Sequence, residues 1–236
     1  MAIYLTGDVH GMPDDRFEAW NFPEGEELTR DDHLIILGDF SMPYDMLEDD
    51  SDLRELNAKP WTTLFIDGNH EQHDHLASLP ESEWHGGIVH RYPEYRNIIH
   101  LMRGEVYEID GHSFFCMGGA QSMDKAIQQE WGTWYPEEMP DESEYANAEQ
   151  NLARYDWDVD FVLTHTCADR MLEAAIGGNG LANAEIVTDE LTDFLDDLED
   201  GLQYEHWFFG HFHNDCELDD KHTVLYQSIV DLADLV

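Results

Sequence analysis

Basic residues are scarce in this 236-residue chain: 11 lysines and arginines stand against 53 aspartates and glutamates, a formal net charge of −42. Lysine occurs only at Lys59, Lys125 and Lys221. Without a basic stripe to neutralise successive phosphates, long nucleic acid is not an expected partner. So acidic a surface reads as a solubility device, or the mark of a salt-rich source, before it reads as mechanism. Cysteine is sparse too. Cys116, Cys167 and Cys216 are odd in number and far apart, which excludes a disulfide framework and a paired-cysteine zinc site. No apolar run approaches the roughly 20 residues of a membrane span. Met1-Ala2-Ile3-Tyr4-Leu5 carries neither a basic lead nor a long apolar stretch, so a cytoplasmic protein without a membrane partner is expected. Repeats, low-complexity tracts and linkers are also missing, and one domain over 1–236 is the simplest organisation.

What is present is a core. Hydrophobic residues make up 42% of the chain and aromatics 12%, enough to exclude global disorder. Five short apolar runs, at 2–11, 33–40, 62–71, 160–166 and 206–213, each end abruptly in Gly, Asp, Asn or His. Such runs read as strands covered on both faces. Polar groups just past strand ends are where open α/β sheets build their sites. Helical patterns lie between them at 14–20, 50–57, 142–156 and 185–199. In the last, Ile186, Leu191, Phe194, Leu195 and Leu198 form an apolar stripe that leaves an acidic face to water. Residues 103–119 read as a hairpin turning at Asp110-Gly111, and 214–230 as another turning at Asp219–Lys221. Residues 118–140, with Trp131, Trp134 and Tyr135, read as a long, partly helical loop that either caps a pocket or packs on a sheet edge. Hairpins added to βα units predict a mixed sheet, or two packed sheets with helices outside.

The stretch FIDGNHEQHDH (65–75) could be a self-contained histidine nest, or it could lend one or two residues to a site assembled elsewhere. Taken together, the strand ends supply Asp8, His10, Asp39, Asn69, His70, His165, His211 and His213. These oxygen and nitrogen donors suit Mn, Fe, Zn, Ni or Co rather than a structural zinc. Seven ligands are too many for one ion but suit two, if one carboxylate bridges, and paired ions form a clamp for displacement at phosphorus.

The ordered motifs GDVHG (7–11), GDF (38–40), GNHE (68–71), THT (164–166) and GHFH (210–213) resemble those of the calcineurin-like metallophosphoesterase superfamily, in its compact bacterial or phage form. The resemblance spans residues 7 to 213. It implies an α/β fold of four layers, two mixed β-sheets face to face with helices on both outer faces. It also implies two divalent ions, manganese first, with Fe, Zn, Ni or Co as alternatives. Asp8, His10 and His213 would hold one ion; Asn69, His165 and His211 would hold the other. Asp39 would bridge them beside a nucleophilic water or hydroxide, and His70 would be the general acid. The implied reaction is hydrolysis of a small phosphomonoester or phosphodiester. The alternatives are a nuclease acting on short or single-stranded nucleic acid, and a non-catalytic scaffold of the same fold. In this scheme Asn69 and His70 matter, and His73 and His75 are surface residues or lie behind the ligands. The remaining histidines, His33, His85, His90, His100, His112, His206 and His222, are structural or exposed, and Cys167 and Cys216 are small buried residues.

The protein-phosphatase branch reads GD-x-x-D-R-G at its second motif. Here Met42 and Pro43 fill the aspartate and arginine positions, which disfavours that branch. Asp45 could then reach His70 from further along. A phosphate-binding cation would come from elsewhere, with Arg103 the first candidate and Arg170 the second, each competing with the alternative of a salt bridge.

Overall fold

The protein is described by a computed structural model covering residues 1–11, 15–42, 50–123, 125–132, 134–177 and 188–235. The apolar runs form strands as expected, in two mixed sheets. In the first, β1 (Ile3–Thr6), β2 (His33–Leu37), β3 (Thr62–Ile66) and β6 (Ile98–Leu101) lie parallel in that order. Beyond β6 come β5 (Gly87–Arg91) and β4 (Glu81–Trp84), both antiparallel to their neighbours, and β13 (Val230–Asp231) flanks β1 antiparallel. The second sheet runs β11 (Cys216–Glu217), β12 (His222–Val224), β10 (His206–Phe209), β9 (Phe161–Thr164), β8 (His112–Met117), β7 (Glu105–Ile109). Its four central strands are parallel and each outer pair is antiparallel.

Alternation along the strands explains why the runs are continuously apolar. Ile35 and Leu37 of β2 point into the core between the sheets, with Leu64 and Ile66 of β3 and with Phe114, Phe161, Leu163 and Phe208 of the opposite sheet. Leu34, Ile36 and Phe65 point the other way, against Leu53 and Leu56 of α1 (Ser51–Ala58) and Leu76 of α2 (His73–Ser78). On the far side, Val162, Trp207 and Phe209 pack on Leu152 of α4 (Glu142–Arg154) and on Leu191, Leu195 and Leu198 of α6 (Glu190–Gly201). A strand covered on both faces carries few polar residues along its length, so the polar clusters mark the exits.

Local signals behave as physical chemistry requires. Asp110 and Gly111 take φ of 51° and 85°, as a type I′ turn demands, and join β7 to β8. Asp141 starts α4 through a capping box, its carboxylate accepting from the N–H groups of Ser143 and Glu144 while Glu144 accepts from that of Asp141. The segment 118–140 carries α3 (Lys125–Trp131) and a 3-10 turn at Pro136–Glu138.

Three expectations change. The helix expected at 14–20 is a 3-10 turn over Asp15–Phe17, in which Arg16 and Phe17 are both buried. Strands β4, β5 and β6 were not expected; the β4–β5 turn is His85-Gly86, with φ of 47° and 94°. Cys216 is exposed on β11 rather than buried, whereas Cys167 lies in the core as expected. The start of the 185–199 helix, most of the glycine cluster at 177–180 and Asp45 fall outside the described residues. Among the described residues no helix is long and apolar enough to cross a membrane.

Candidate metal centre

The loops leaving β1, β2, β3, β9 and β10 converge, and their main chains are laced together. The N–H groups of Val9 and His10 donate to the Asp39 carbonyl (3.2 and 2.8 Å), and that of Gly210 to the His165 carbonyl (3.0 Å). His10, Asp39, His211 and His213 take positive φ, between 46° and 66°. Left-handed backbone at four non-glycine donors is strained, and such strain persists where the surroundings hold side chains in a required direction. Gly38 and Gly210 permit the close approach. A Cβ on Gly38 would strike the His165 imidazole, and one on Gly210 the Asp8 carboxylate.

Asp8, His10, Asp39 and His213 bring one donor atom each within 4.8 Å of one another. His213 Nε2 lies 3.1 Å from Asp8 Oδ2 and 2.8 Å from His10 Nε2. Asp8 Oδ2 is buried yet accepts no hydrogen bond, while its partner Oδ1 accepts from the His211 N–H at 2.9 Å. On the other side, His165 Nε2 stands 3.2 Å from Asp39 Oδ1 and 3.1 Å from Asn69 Oδ1. His165 Nδ1 lies 2.7 Å from the Leu37 carbonyl and must be its donor, which leaves Nε2 as the atom directed at the two oxygens. Acceptors converging in this way need a cation. A histidine donating its other N–H to a carbonyl is the usual arrangement of a metal ligand. The His211 ring lies against that of His165, with centroids 5.0 Å apart. The residues fit divalent ions.

The electrostatics agree. Burial works against charge on His165, but the touching Asp39 carboxylate outweighs it and pushes this histidine up to about 10. Burial also opposes ionisation of Asp39, yet His165, His70 and His10 together hold it below the ordinary carboxylate range. His211, buried beside His165, is driven down to about 3. Protonated His165 thus supplies the positive charge that Asp39 requires, a place a metal cation would take.

All eight expected donors are therefore brought together. His70 stands at the exposed rim, its ring 5.5 Å from that of His10 and its N–H donating to Asp39 Oδ1 at 2.8 Å. His73 is buried, behind the ligands rather than at the surface, and His75 is half-buried. Of the two roles weighed for each candidate arginine, both are found in that of a salt-bridge partner. Arg103 is buried, with Nε and Nη2 on Asp67 (2.8 and 2.5 Å), Nη1 on Glu144 (3.1 Å), and Nη2 also on the carbonyls of Glu137 and Glu138. Arg170 is bound to Asp196 and Asp200. As paired, neither presents its fork to a phosphate; the abundant carboxylates claim both.

Several residues went unrecognised in the sequence. Arg16 is buried and donates to the carbonyls of Gly7, Asp8 and Tyr226 and to Thr6 Oγ1, bracing the Asp8 turn. Glu71 accepts from the N–H groups of Phe40, Ser41 and Gly68 (2.7, 2.7 and 3.1 Å), tying the Asp39 turn to the Asn69 turn. Burial and the nearby Asp39 push it up to about 8. Tyr226 stacks on His213, with centroids 4.5 Å apart. For Glu71 the signal was its fixed place in GNHE; Arg16 and Tyr226 lie outside every motif.

Two mixed sheets flanked by helices, with a cluster of aspartate, asparagine and histidine donors at their converging strand ends, are the features of a metallophosphoesterase fold with a candidate metal site. The profile of the calcineurin-like phosphoesterases matches residues 1–215, and the chain belongs to that family. Among solved structures it is similar to a phosphopantetheinyl hydrolase from Mycobacterium tuberculosis, at 16% identity over 95% of this chain and 88% of that one, TM-score 0.48. It is also similar to a protein of unknown function from Aquifex aeolicus, at 15% identity over 70% and 80% of the two chains, TM-score 0.33. No curated protein is significantly similar.

Proposed function

We propose that the protein hydrolyses a phosphoester bond in a small phosphorylated substrate, using two divalent metal ions held on either side of Asp39. One observation carries this reading: the two oxygens of a single buried carboxylate face different donor groups. Asp39 Oδ2 is on the side of His10 (3.8 Å), with Asp8 and His213, and Oδ1 is on the side of His165 (3.2 Å), with Asn69. Asp8, His10 and His213 would hold one ion, and Asn69, His165 and His211 the other. When bound, such ions lower the pKa of a coordinated water towards neutrality and offset charge developing on phosphoryl oxygens. His70, fixed by its own N–H on Asp39 and free at the rim, donates a proton to the leaving oxygen. The Leu37 carbonyl orients His165, and Glu71 holds the Asp39 and Asn69 turns at their separation. The net charge of −42 draws divalent cations and disfavours polyanions, which supports a small substrate over a long nucleic acid.

The test is a hydrolysis screen across phosphomonoesters, diesters, nucleotides and short labelled oligonucleotides, with Mn²⁺, Ni²⁺ and Zn²⁺ in parallel. Turnover of small esters is expected with Mn²⁺ first; cleavage of oligonucleotides alone would favour a nuclease. No turnover by folded protein with any of these ions would overturn the reading. His70→Asn should lower kcat by about 10²–10⁴-fold for substrates with poor leaving groups and much less for nitrophenyl esters, with bound metal unchanged. An equal loss for both leaving groups would remove His70 from the acid role.

A further inference from the structure

Asn69 can offer its carbonyl oxygen to a metal only if its amide is held one way round, because the same side chain turned over presents N–H donors instead. The partner that decides this lies in the aromatic-rich segment between β8 and α4, which the family motifs leave without a role. Asn69 Nδ2 donates to Ser122 Oγ at 3.0 Å. Gln128 Nε2, on α3, donates to the same oxygen at 3.2 Å. A hydroxyl accepting two bonds must spend its proton elsewhere, and Ser122 Oγ lies 2.5 Å from Glu138 Oε2. The other carboxylate oxygen, Oε1, accepts from the Ser122 N–H at 3.2 Å. Ser122, Gln128, Glu138 and Asn69 are all buried, Glu138 completely.

We propose that Ser122 and Glu138 are positioning residues that lock the Asn69 amide with its oxygen towards the metal centre. The direction of the chain follows from Glu138, which accepts at both oxygens and donates at neither. Glu138 fixes the Ser122 hydroxyl as a donor towards itself; Ser122 is then an acceptor towards Asn69; Asn69 is left with Oδ1 facing His165 Nε2. The segment is anchored where it must be. Arg103 donates to the Glu137 and Glu138 carbonyls while gripping Asp67, two residues before Asn69, and the Ala120 N–H donates to the Glu138 carbonyl at 3.2 Å. This role rests on the proposed use of Asn69 as a ligand, but it can be tested without turnover.

Glu138→Gln is the sharpest variant because it keeps the shape. A glutamine offers one acceptor and one donor where two acceptors are needed. It must either oppose the Ser122 N–H or reverse the Ser122 hydroxyl and with it the Asn69 amide. Ser122→Ala removes the acceptor outright, and Ser122→Thr restores it. In metal-free wild-type protein, the side-chain amide protons of Asn69 should exchange slowly by NMR, and both Glu138→Gln and Ser122→Ala should speed that exchange. In Mn²⁺ titrations the two variants should lose about 10–100-fold in affinity at one site and keep the other, a loss of the size typical for partners of metal ligands. kcat should fall in parallel with little change in KM, and Ser122→Thr should recover all three. Fast Asn69 exchange in the wild type, or unchanged Mn²⁺ affinity in folded Glu138→Gln, would overturn the proposal. Wild-type protein that binds Mn²⁺ but hydrolyses nothing would sink the proposed function alone and leave this role standing on the exchange and affinity results.

Discussion

Asp39→Asn is expected to lower kcat by more than about 10³-fold on any substrate the protein turns over, with the fold intact by circular dichroism. Removing one preorganised donor from an active site typically costs about 10²–10³-fold, and this substitution disturbs more than one contact. Asp39 is buried, and its Oδ1 also receives the His70 N–H at 2.8 Å. Asparagine keeps one oxygen and replaces the other by an NH₂ group. If the oxygen stays towards His70 and His165, the NH₂ faces His10 and repels a cation there. If it turns over, the NH₂ meets the His70 N–H and the His165 side. Either way the neutral amide offers an oxygen to only one half of the centre, and neither half keeps the negative charge that Asp39 supplied. Metal analysis should show Mn²⁺ per chain falling by about one ion, and the His165 imidazole, deprived of the carboxylate that raises it, should titrate far lower by NMR. Full metal occupancy with full activity would show that Asp39 does not lie between two ions.

The strands and their exits were legible because burial on both faces forces an unbroken apolar run, as in Leu34–Leu37, and because the polar residues at the exits have no other place to go. The eight donors were legible through their order and their glycines. What stayed hidden was the material that holds them. Ser122 and Glu138 are ordinary polar residues in a segment without periodicity, and only the fold brings them to Asn69. Arg16 read as part of a helix at 14–20. It is buried among main-chain oxygens of two distant segments, Gly7-Asp8 and Tyr226, a set of acceptors no local pattern announces. The β4–β5 hairpin was missed because Glu81–Trp84 is an edge strand with alternating exposed and half-buried residues, and because His85-Gly86 is not one of the common hairpin pairs. Arg103 shows a different limit. The sequence offered it as either a phosphate ligand or an ion-pair partner, and only geometry could choose.

The pair that claims Arg103 carries the second large effect. Arg103→Met is expected to destabilise the protein by about 3–5 kcal/mol, the usual cost of leaving one member of a buried ion pair alone. For a chain of this size that corresponds to a fall in Tm of roughly 10 °C. Burial alone would raise the pKa of Asp67, but Arg103 foremost, with the hydrogen bond from His100 Nε2 at 3.2 Å, overrides it and holds Asp67 below the ordinary carboxylate range. A carboxylate with a depressed folded pKa contributes stability that is full above its unfolded pKa of about 4 and is lost as pH falls towards its folded value. Wild-type stability should therefore decline below about pH 4 in part because Asp67 takes up a proton. In Arg103→Met much of that acid sensitivity should be gone, because the uncompensated Asp67 is already driven towards its neutral form. Asp67→Asn combined with Arg103→Met should recover much of the loss, since it removes the orphaned charge. Denaturant melts of the wild type, the two single variants and the double variant, at pH 7 and pH 4, measure the coupling directly. A coupling near zero at pH 7 would mean that the Glu144 carboxylate and the Glu137 and Glu138 carbonyls, rather than Asp67, hold Arg103 in place.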